Sequence, residues 1–290
     1  MHLYRTKGII IAAFLIIIVL ILGDYIISRK GLKITSFTII DKKITASVRI
    51  VQLTDLHNSV FGNNNERLVQ AVKKEKPDLI FITGDLLNKD DPTLNIAINI
   101  ISELKEIAPV FCSLGNHEIA YEQKFGIDIK QRYEKAGAII LEYGWKDIDL
   151  RGNKLRIGGI YGYCIPKKYL KTGETNPKEA EYLNMLTDTD RYCLLLAHMP
   201  LCWLRYGSLN DYDVDVVFSG HVHGGQILLP FIGGLYAPDQ GWFVGKEWGV
   251  FNSEDGGKHL VLSTGLGSNE KIPRFNNIPE IVSIVLEPVN

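Results

Sequence analysis

The sequence predicts a mixed α/β domain carried behind a single apolar helix at the amino terminus. Three observations lead there. Five short runs rich in Val, Ile, Leu and Phe, each bounded by turn residues, read as strands buried on both faces. Two stretches between the first three runs repeat their apolar residues at helical spacing, which makes a strand, helix, strand rhythm. One stretch, Gly8 to Ile27, holds twenty residues with Asp24 as its only charge. The composition agrees: of 290 residues, 46% are hydrophobic and 22% charged, a balance that disordered and coiled-coil chains do not have.

At about 1.5 Å per residue, residues 8–27 span the roughly 30 Å hydrocarbon core of a bilayer. A cleavable secretory signal would have a shorter apolar core ending in a small-x-small site, and Leu22-Gly23-Asp24-Tyr25 offers none. An uncleaved transmembrane anchor is therefore the favoured reading, with the lipid bilayer as partner of residues 8–27 and a single-pass membrane location. The side on which the domain after the span lies stays open. Arg5 and Lys7 precede the span while Arg29, Lys30 and Lys33 come after it, which favours a cytoplasmic domain by one residue, yet short anchors of this kind often export the domain attached to them. Residues 28–45, with Lys33, Lys42 and Lys43, read as a polar connector, and residues 46–290 as one domain.

Within that domain the apolar runs are Val48–Leu53, Leu79–Thr83, Val110–Leu114, Cys193–Ala197 and Val214–Ser219. The helical stretches are Asn65–Lys76, with Leu68, Val69 and Val72, and Thr93–Ile107, with Ile96, Ile100, Ile101 and Leu104. From about Ala138 to Tyr163 several glycines and short alternating runs suit antiparallel strands and hairpins. Cys112, Cys164, Cys193 and Cys202 are too few and scattered for a disulfide framework, form no C-x-x-C pair, and read as buried small apolar residues. Lys plus Arg (32) against Asp plus Glu (33) leaves a formal charge of -1, so no general nucleic-acid binding is expected.

Each of the five apolar runs leads directly into residues of metal-ligand type. The first enters Thr54-Asp55-Leu56-His57, the second Gly84-Asp85, and the third Gly115-Asn116-His117-Glu118. The fourth enters His198 and the fifth Gly220-His221-Val222-His223-Gly224-Gly225. Each alone has an ordinary reading: a turn carboxylate, a tight turn, a helix cap, a core histidine. Ligands bind outside the carboxyl ends of strands in open α/β sheets, so the five segments can converge on one crevice. His221 and His223 would face opposite ways on a continuing strand, and Gly220, Gly224 and Gly225 permit the bend that brings both rings together. Two Asp, one Asn and four His give oxygen and imidazole donors without thiolate, which suits Mn, Fe or Zn. Seven donors exceed what one ion needs. Two divalent ions about 3.5–4 Å apart, sharing a carboxylate, would use them all in phosphoryl transfer.

These blocks resemble the calcineurin-like metallophosphoesterases, whose pattern is D-x-H, G-D-x-x-[DN], G-N-H-[DE], H and G-H-x-H. The chain has them in order as Asp55-Leu56-His57, Gly84-Asp85-Leu86-Leu87-Asn88, Gly115-Asn116-His117-Glu118, His198 and Gly220-His221-Val222-His223. The resemblance covers about residues 48–286. Ser263-Thr264-Gly265-Leu266-Gly267, Pro273-Arg274-Phe275 and Gly224-Gly225-Gln226 look like its membrane-anchored phosphodiesterase branch, which includes enzymes acting on UDP-2,3-diacylglucosamine.

The resemblance implies a four-layer α/β/β/α sandwich of two mixed sheets and a dinuclear centre, with Mn the first choice of metal. One ion would be held by Asp55, His57, Asp85 and His223, with Asp85 shared, and the other by Asn116, His198 and His221. A hydroxide bridging the ions would attack phosphorus in line, and His117 would protonate the leaving alkoxide or polarise the phosphate. Glu118 would orient a neighbour or cap a helix. Many relatives have Asp where this chain has Asn88, a supporting position.

For the substrate, the protein serine/threonine phosphatases of the superfamily carry an Arg shortly after the G-D block, and Gly84-Asp85-Leu86-Leu87-Asn88-Lys89-Asp90 has none. Arg274 could reach the site and bind a phosphate in a bidentate manner, a surface salt bridge being the commoner use of a lone Arg. Phe231, Tyr236, Trp242, Phe243, Trp248 and Phe251 could line an apolar groove, touch the bilayer interface or pack in the core. With an anchor, a small-molecule or lipid phosphoester is expected, above all a lipid-linked or nucleotide-type phosphodiester or pyrophosphate. The alternatives are a non-catalytic metal-binding envelope module and a nuclease or phosphomonoesterase with the same centre.

Overall fold

The computed structural model describes residues 2–160, 176–268 and 272–289. Helix α1 (His2–Lys30) contains the apolar stretch, and its segment Ile9–Lys30 is long and apolar enough to cross a membrane. Its last turns dock on the domain behind it. The Asp24 carboxylate accepts the Asn276 N–H at 2.8 Å and the Ser28 hydroxyl accepts the Asn277 N–H at 3.1 Å.

The first strand corrects the reading of residues 28–45 as a connector. Residues Lys33–Asp41 form β1, an edge strand running parallel to the last strand of the chain. Phe37 and Ile39 alternate with exposed residues and enter the core, which is the β-strand period. The lysines that made this segment look like a solvated linker pair with carboxylates instead: Lys33 with Glu280 at 3.1 Å and Lys43 with Asp215 at 2.9 Å.

Next along the chain are β2 (Val48–Leu53), β3 (Leu79–Thr83), β4 (Val110–Ser113) and β5 (Ala138–Ile140). Then come β6 (Gly144–Leu150), β7 (Asn153–Ile160), β8 (Tyr192–Ala197) and β9 (Val216–Ser219). Short strands β10 (Leu228–Leu229), β11 (Gly233–Ala237) and β12 (Gly241–Gly245) precede β13 (Gly249–Asn252), β14 (His259–Leu262) and β15 (Glu280–Pro288). One six-stranded sheet has the order β1-β15-β2-β3-β4-β5, with only the β15–β2 pair antiparallel. The other has the order β13-β14-β9-β8-β7-β6, with antiparallel pairs at its two edges. A small antiparallel sheet, β10-β11-β12, stands apart from both.

Alternation along the strands shows why the runs are apolar throughout. In β3, Leu79 and Phe81 join the core between the sheets while Ile80 and Ile82 join the core under the helices. In β8, Tyr192, Leu194 and Leu196 face the inter-sheet core, and Cys193, Leu195 and Ala197 face outward into a third core. The helices α2 (Glu66–Glu75), α3 (Asn95–Leu104), α4 (Asn116–Phe125) and α5 (Ile129–Ala136) cover the first sheet, and α6 (Pro177–Thr187) the second. The layers are therefore α/β/β/α. The two amphipathic stretches appear as α2 and α3, each slightly shorter than its periodicity suggested.

The stretch read as antiparallel hairpins contains the β6–β7 hairpin, although β5 pairs parallel to β4; its part beyond Ile160 lies outside the described residues, as does Cys164. Cys112 and Cys193 are free and buried, whereas Cys202 is disulfide-bonded and departs from the reading of it as a small apolar filler.

Phe81 sits where the sheets meet, edge-on to the rings of Phe111 at 6.1 Å and Phe218 at 5.0 Å. Replacing Phe81 by Ala is expected to cost about 3–5 kcal/mol of unfolding free energy, measured by urea denaturation of the full chain in detergent. A loss below about 1 kcal/mol would show that the sheets do not close on this ring.

Candidate metal centre

Strands β2, β3 and β4 of one sheet and β8 and β9 of the other end at a common edge, and the loops leaving them meet there. Gln52, at the end of β2, ties the sheets together: its amide donates to Thr83 Oγ1 at 3.0 Å and to the Ser219 carbonyl at 2.9 Å. Two glycines let the loops approach. A Cβ on Gly115 would lie 2.2 Å from Asp85 Oδ1, and one on Gly220 would lie 2.2 Å from Thr54 Oγ1. Asp55, His57, Asp85, His221 and His223 all take left-handed backbone, with φ between 46° and 70°. Such strain in non-glycine residues clusters where surrounding structure enforces a site.

Of the residues that the strand-end reading singled out for the centre, Asp55, His57, Asp85, His117, His198, His221 and His223 are buried, and Asn116 is half-buried. Three groups form, each with its ligand-type atoms within 4.8 Å of one another: Asp55, His57 and His223; His57, Asp85 and His117; Asp85, His198 and His221. The imidazole pairs His57–His117, His57–His223 and His198–His221 have ring centroids 4.6, 5.1 and 5.1 Å apart. Asn116 opens α4 beside them.

Hydrogen bonds fix the orientation of these groups from behind. The Asp55 carboxylate accepts the His221 N–H at 3.0 Å and the Thr54 hydroxyl at 2.9 Å. His198 Nδ1 lies 2.6 Å from the Thr83 carbonyl, which assigns a proton to Nδ1 and turns Nε2 inward towards Asp85. His117 Nδ1 accepts the Lys89 N–H at 3.1 Å, so the ring's own proton belongs on Nε2. Asn88, at the departure from the family pattern, donates to the His57 carbonyl at 3.1 Å.

Glu118 is the brace of the cluster. Its carboxylate accepts the backbone N–H of Asp85 and Leu86 at 2.8 Å each and of Gly115 at 2.9 Å, with the Tyr133 hydroxyl at 3.2 Å.

The electrostatics arise from burial. Burial holds the His57 imidazole down to about 3 and the His223 imidazole well below its usual range, and lowers His117 as well. At His198 burial acts the same way but is outweighed by the Asp85 carboxylate 3.2 Å away, which lifts the ring to about 10. Burial would raise Asp85, yet His198 and His57 keep it well below the usual carboxylate range. Burial, and then the Asp85 charge, push Glu118 up to about 7.

The donor set fits divalent cations. Both ring nitrogens of His57, Nδ1 of His223 and Oδ1 of Asn116 are buried without a hydrogen-bond partner, and Nε2 of His198 has only the Asp85 carboxylate. Buried polar atoms are ordinarily paired, and here the unpaired ones are oxygen and imidazole donors gathered at one point without thiolate. A cleft of about 610 Å³ opens over them, with Lys89, Tyr236, Asp239 and Trp242 in its wall.

Two findings were not anticipated from sequence. Asp239 Oδ2 lies 3.1 Å from His221 Nε2, and nothing in its Pro238-Asp239 turn distinguishes it in the sequence. Arg274 is not among the residues that line the cleft. It is 3% exposed, and its five N–H groups are directed to the Thr264, Gly267 and Asn277 carbonyls, Thr264 Oγ1 and Asn277 Oδ1. No donor remains for a phosphate, so the residue is a structural clamp. Of the aromatics, Tyr236 and Trp242 reach the cleft wall, Phe231 and Phe243 are exposed, and Phe251 packs partly buried against the third core.

The sequence profile described as Calcineurin-like phosphoesterase matches residues 48–225. The chain is 28% identical over 248 residues to the uncharacterized metallophosphoesterase YkuE of Bacillus subtilis (strain 168), covering 83% of this chain and 80% of that protein. It is 27% identical over 287 residues to an uncharacterized metallophosphoesterase of Aquifex aeolicus (strain VF5), covering 93% and 98%. It is 27% identical over 250 residues to the phosphodiesterase YaeI of Escherichia coli (strain K12), covering 84% of each.

Two predictions test the buried groups. In chelator-treated protein, folded His57 stays neutral down to about 3, whereas the unfolded chain takes up that proton near the ordinary 6.5. Stability present above 6.5 is lost as the pH falls towards 3. The melting temperature should drop more steeply between about pH 7 and about pH 5 for wild type than for His57→Gln, and parallel curves would remove His57 from this dependence. For Arg274→Lys, which loses most of five hydrogen bonds, stability should fall by about 3–5 kcal/mol while KM stays near wild type. A raised KM with unchanged stability would restore Arg274 to substrate binding.

Proposed function

Because the chain belongs to the calcineurin-like phosphoesterase family and is thereby a hydrolase of phosphoric esters, we propose that it is a membrane-tethered phosphodiesterase with a dinuclear metal centre. Its substrates on this reading are lipid-linked or nucleotide-type phosphodiesters or pyrophosphates. The observation that supports it most is the group of unpartnered buried donors on His57, Asn116 and His223 at the floor of a wide cleft. The relative named as a phosphodiesterase supports the diester, and the apolar α1 supports the tether.

Asp55, His57, Asp85 and His223 would hold one ion, and Asn116, His198 and His221 the other, with Asp85 between. The oxygen and nitrogen donors suit manganese first, then iron or zinc. The ions would supply Lewis-acid charge for polarising the phosphate and for acidifying water.

The chain's own groups do the rest. His117, its pKa lowered by burial and its Nδ1 accepting the Lys89 N–H, directs Nε2–H as a donor to a phosphoryl oxygen, and would protonate a departing alkoxide only from its imidazolium form, returning to the neutral ring. Lys89, in the cleft wall, adds positive charge facing the phosphate. Asp239 orients His221, and Glu118 fixes the loops carrying Asp85 and Asn116 without facing the substrate.

The test is hydrolysis of bis-p-nitrophenyl phosphate by the full chain in detergent, after chelation and with manganese restored. Manganese-dependent turnover is expected, and its absence would overturn the proposal. His117→Ala should lower the rate by about 10²–10⁴-fold for an alkyl leaving group and by less for p-nitrophenolate, which needs little protonation. Equal losses would remove His117 as the acid.

A further inference from the structure

The β10–β11 hairpin is apolar, exposed and joined to the end of α1. From Ile227 to Ala237 the chain carries no charged residue. At the turn Phe231 is fully exposed and Ile232 is 52% exposed, while on the next strand Trp242 and Phe243 are 60% and 68% exposed. Phe231 and Phe243 both take left-handed backbone, φ 67° and 60°, which is unusual for bulky residues. Contiguous apolar surface of this kind marks a region that something covers.

Hydrogen bonds fix where the hairpin lies. Asn276 gives its backbone N–H to Asp24 of α1 at 2.8 Å and its side-chain amide to the Leu228 carbonyl at 3.0 Å. Leu228 returns its N–H to the Phe275 carbonyl at 3.0 Å. A single residue thus bonds the end of the apolar helix on one side and the first residue of the hairpin on the other. Asp24 is the first charge after the run Ile9–Leu22 and lies three residues before Ile27, so a helix spanning with residues 8–27 holds it about 5 Å from the end of the span. The turn at Phe231 is three residues beyond Leu228, within about 10 Å of it.

The geometry points to the β10–β11 hairpin as a second membrane contact, with Phe231 and Ile232 entering the interface of the leaflet from which α1 emerges. The occupant is a lipid surface because the hairpin is continuous with the span. An uncharged aromatic and aliphatic turn is the composition such interfaces favour. Trp242 and Tyr236, whose ring centroids are 5.2 Å apart, stand between β11 and β12 and also line the catalytic cleft. The contact holds that cleft against the bilayer, so a phosphoester carried on a lipid reaches it without leaving the membrane. This rests on the proposed reading of α1 as a span and of the cleft as a phosphodiesterase site.

The experiment uses the full chain with Phe231→Cys, labelled with an environment-sensitive fluorophore and reconstituted in phosphatidylcholine–phosphatidylglycerol vesicles. Among the described residues Cys112 and Cys193 are buried and Cys202 is disulfide-bonded, and label taken up by the unsubstituted chain is subtracted as background. The same label at Lys135→Cys, exposed on α5 at the sheet edge opposite β1, is the reference. Lipids bearing a nitroxide just below the headgroup should quench the label at position 231 several-fold more than at position 135, with a shift of emission to shorter wavelength. Equal quenching at both positions overturns the proposal. Flotation with the vesicles and manganese-dependent hydrolysis of bis-p-nitrophenyl phosphate are read on the same sample. Protein that floats and hydrolyses without quenching at 231 loses only the hairpin contact, whereas failure to float or to hydrolyse removes the reading beneath it.

Discussion

One buried carboxylate, Asp85, holds the centre together. Its N–H binds Glu118, its carbonyl accepts the His57 N–H, and its side chain accepts the His117 N–H while facing His198 and His57. Three strand-end loops are thereby referred to a single residue, itself in left-handed backbone and 2% exposed. Burying an ionised carboxylate is costly unless charge and hydrogen bonds compensate it. The imidazoles around Asp85 provide part of that compensation, and Glu118 behind it carries the opposing cost, its carboxyl pushed up to about 7. The remaining unpartnered donors on His57, Asn116 and His223 suit cations at the same point.

The sandwich exists to bring these loops to one edge. Strands buried on both faces need no polar residue until they emerge, so chemistry concentrates at their ends. This is why so much was legible in the sequence: β3 and β8 appear as apolar runs, β2 as one interrupted only by Arg49 and Gln52, and Asp55, Asp85 and His198 come within two residues of their ends. What was hidden depends on contacts distant in sequence. The strand β1 was masked by lysines whose partners, Glu280 and Asp215, lie far along the chain. Arg274 looked like a phosphate ligand because the carbonyls that occupy it belong to a loop whose path is set only by folding. Asp239 meets His221 through the fold of the small sheet, with no local signal.

The amino-terminal helix is more closely joined to the centre than composition suggests. Asp24 and Ser28 hold the backbone of residues 276 and 277, and the Asn277 amide donates to the His223 carbonyl at 2.8 Å and the Gln226 carbonyl at 3.1 Å. Arg274 locks the same loop to Thr264 and Gly267. A short series of hydrogen bonds therefore runs from the apolar helix to the loop bearing two of the histidines, which accounts for an arginine, a charge-bearing residue, being buried in that loop.

The most direct test of this arrangement is the metal content of the full chain after dialysis against manganese, measured by inductively coupled plasma mass spectrometry for wild type and for Asp85→Ala. If Asp85 is the shared group, wild type holds about two ions per chain and the variant no more than about one. Wild type holding one ion or none, or Asp85→Ala retaining both, would contradict a centre built around that carboxylate.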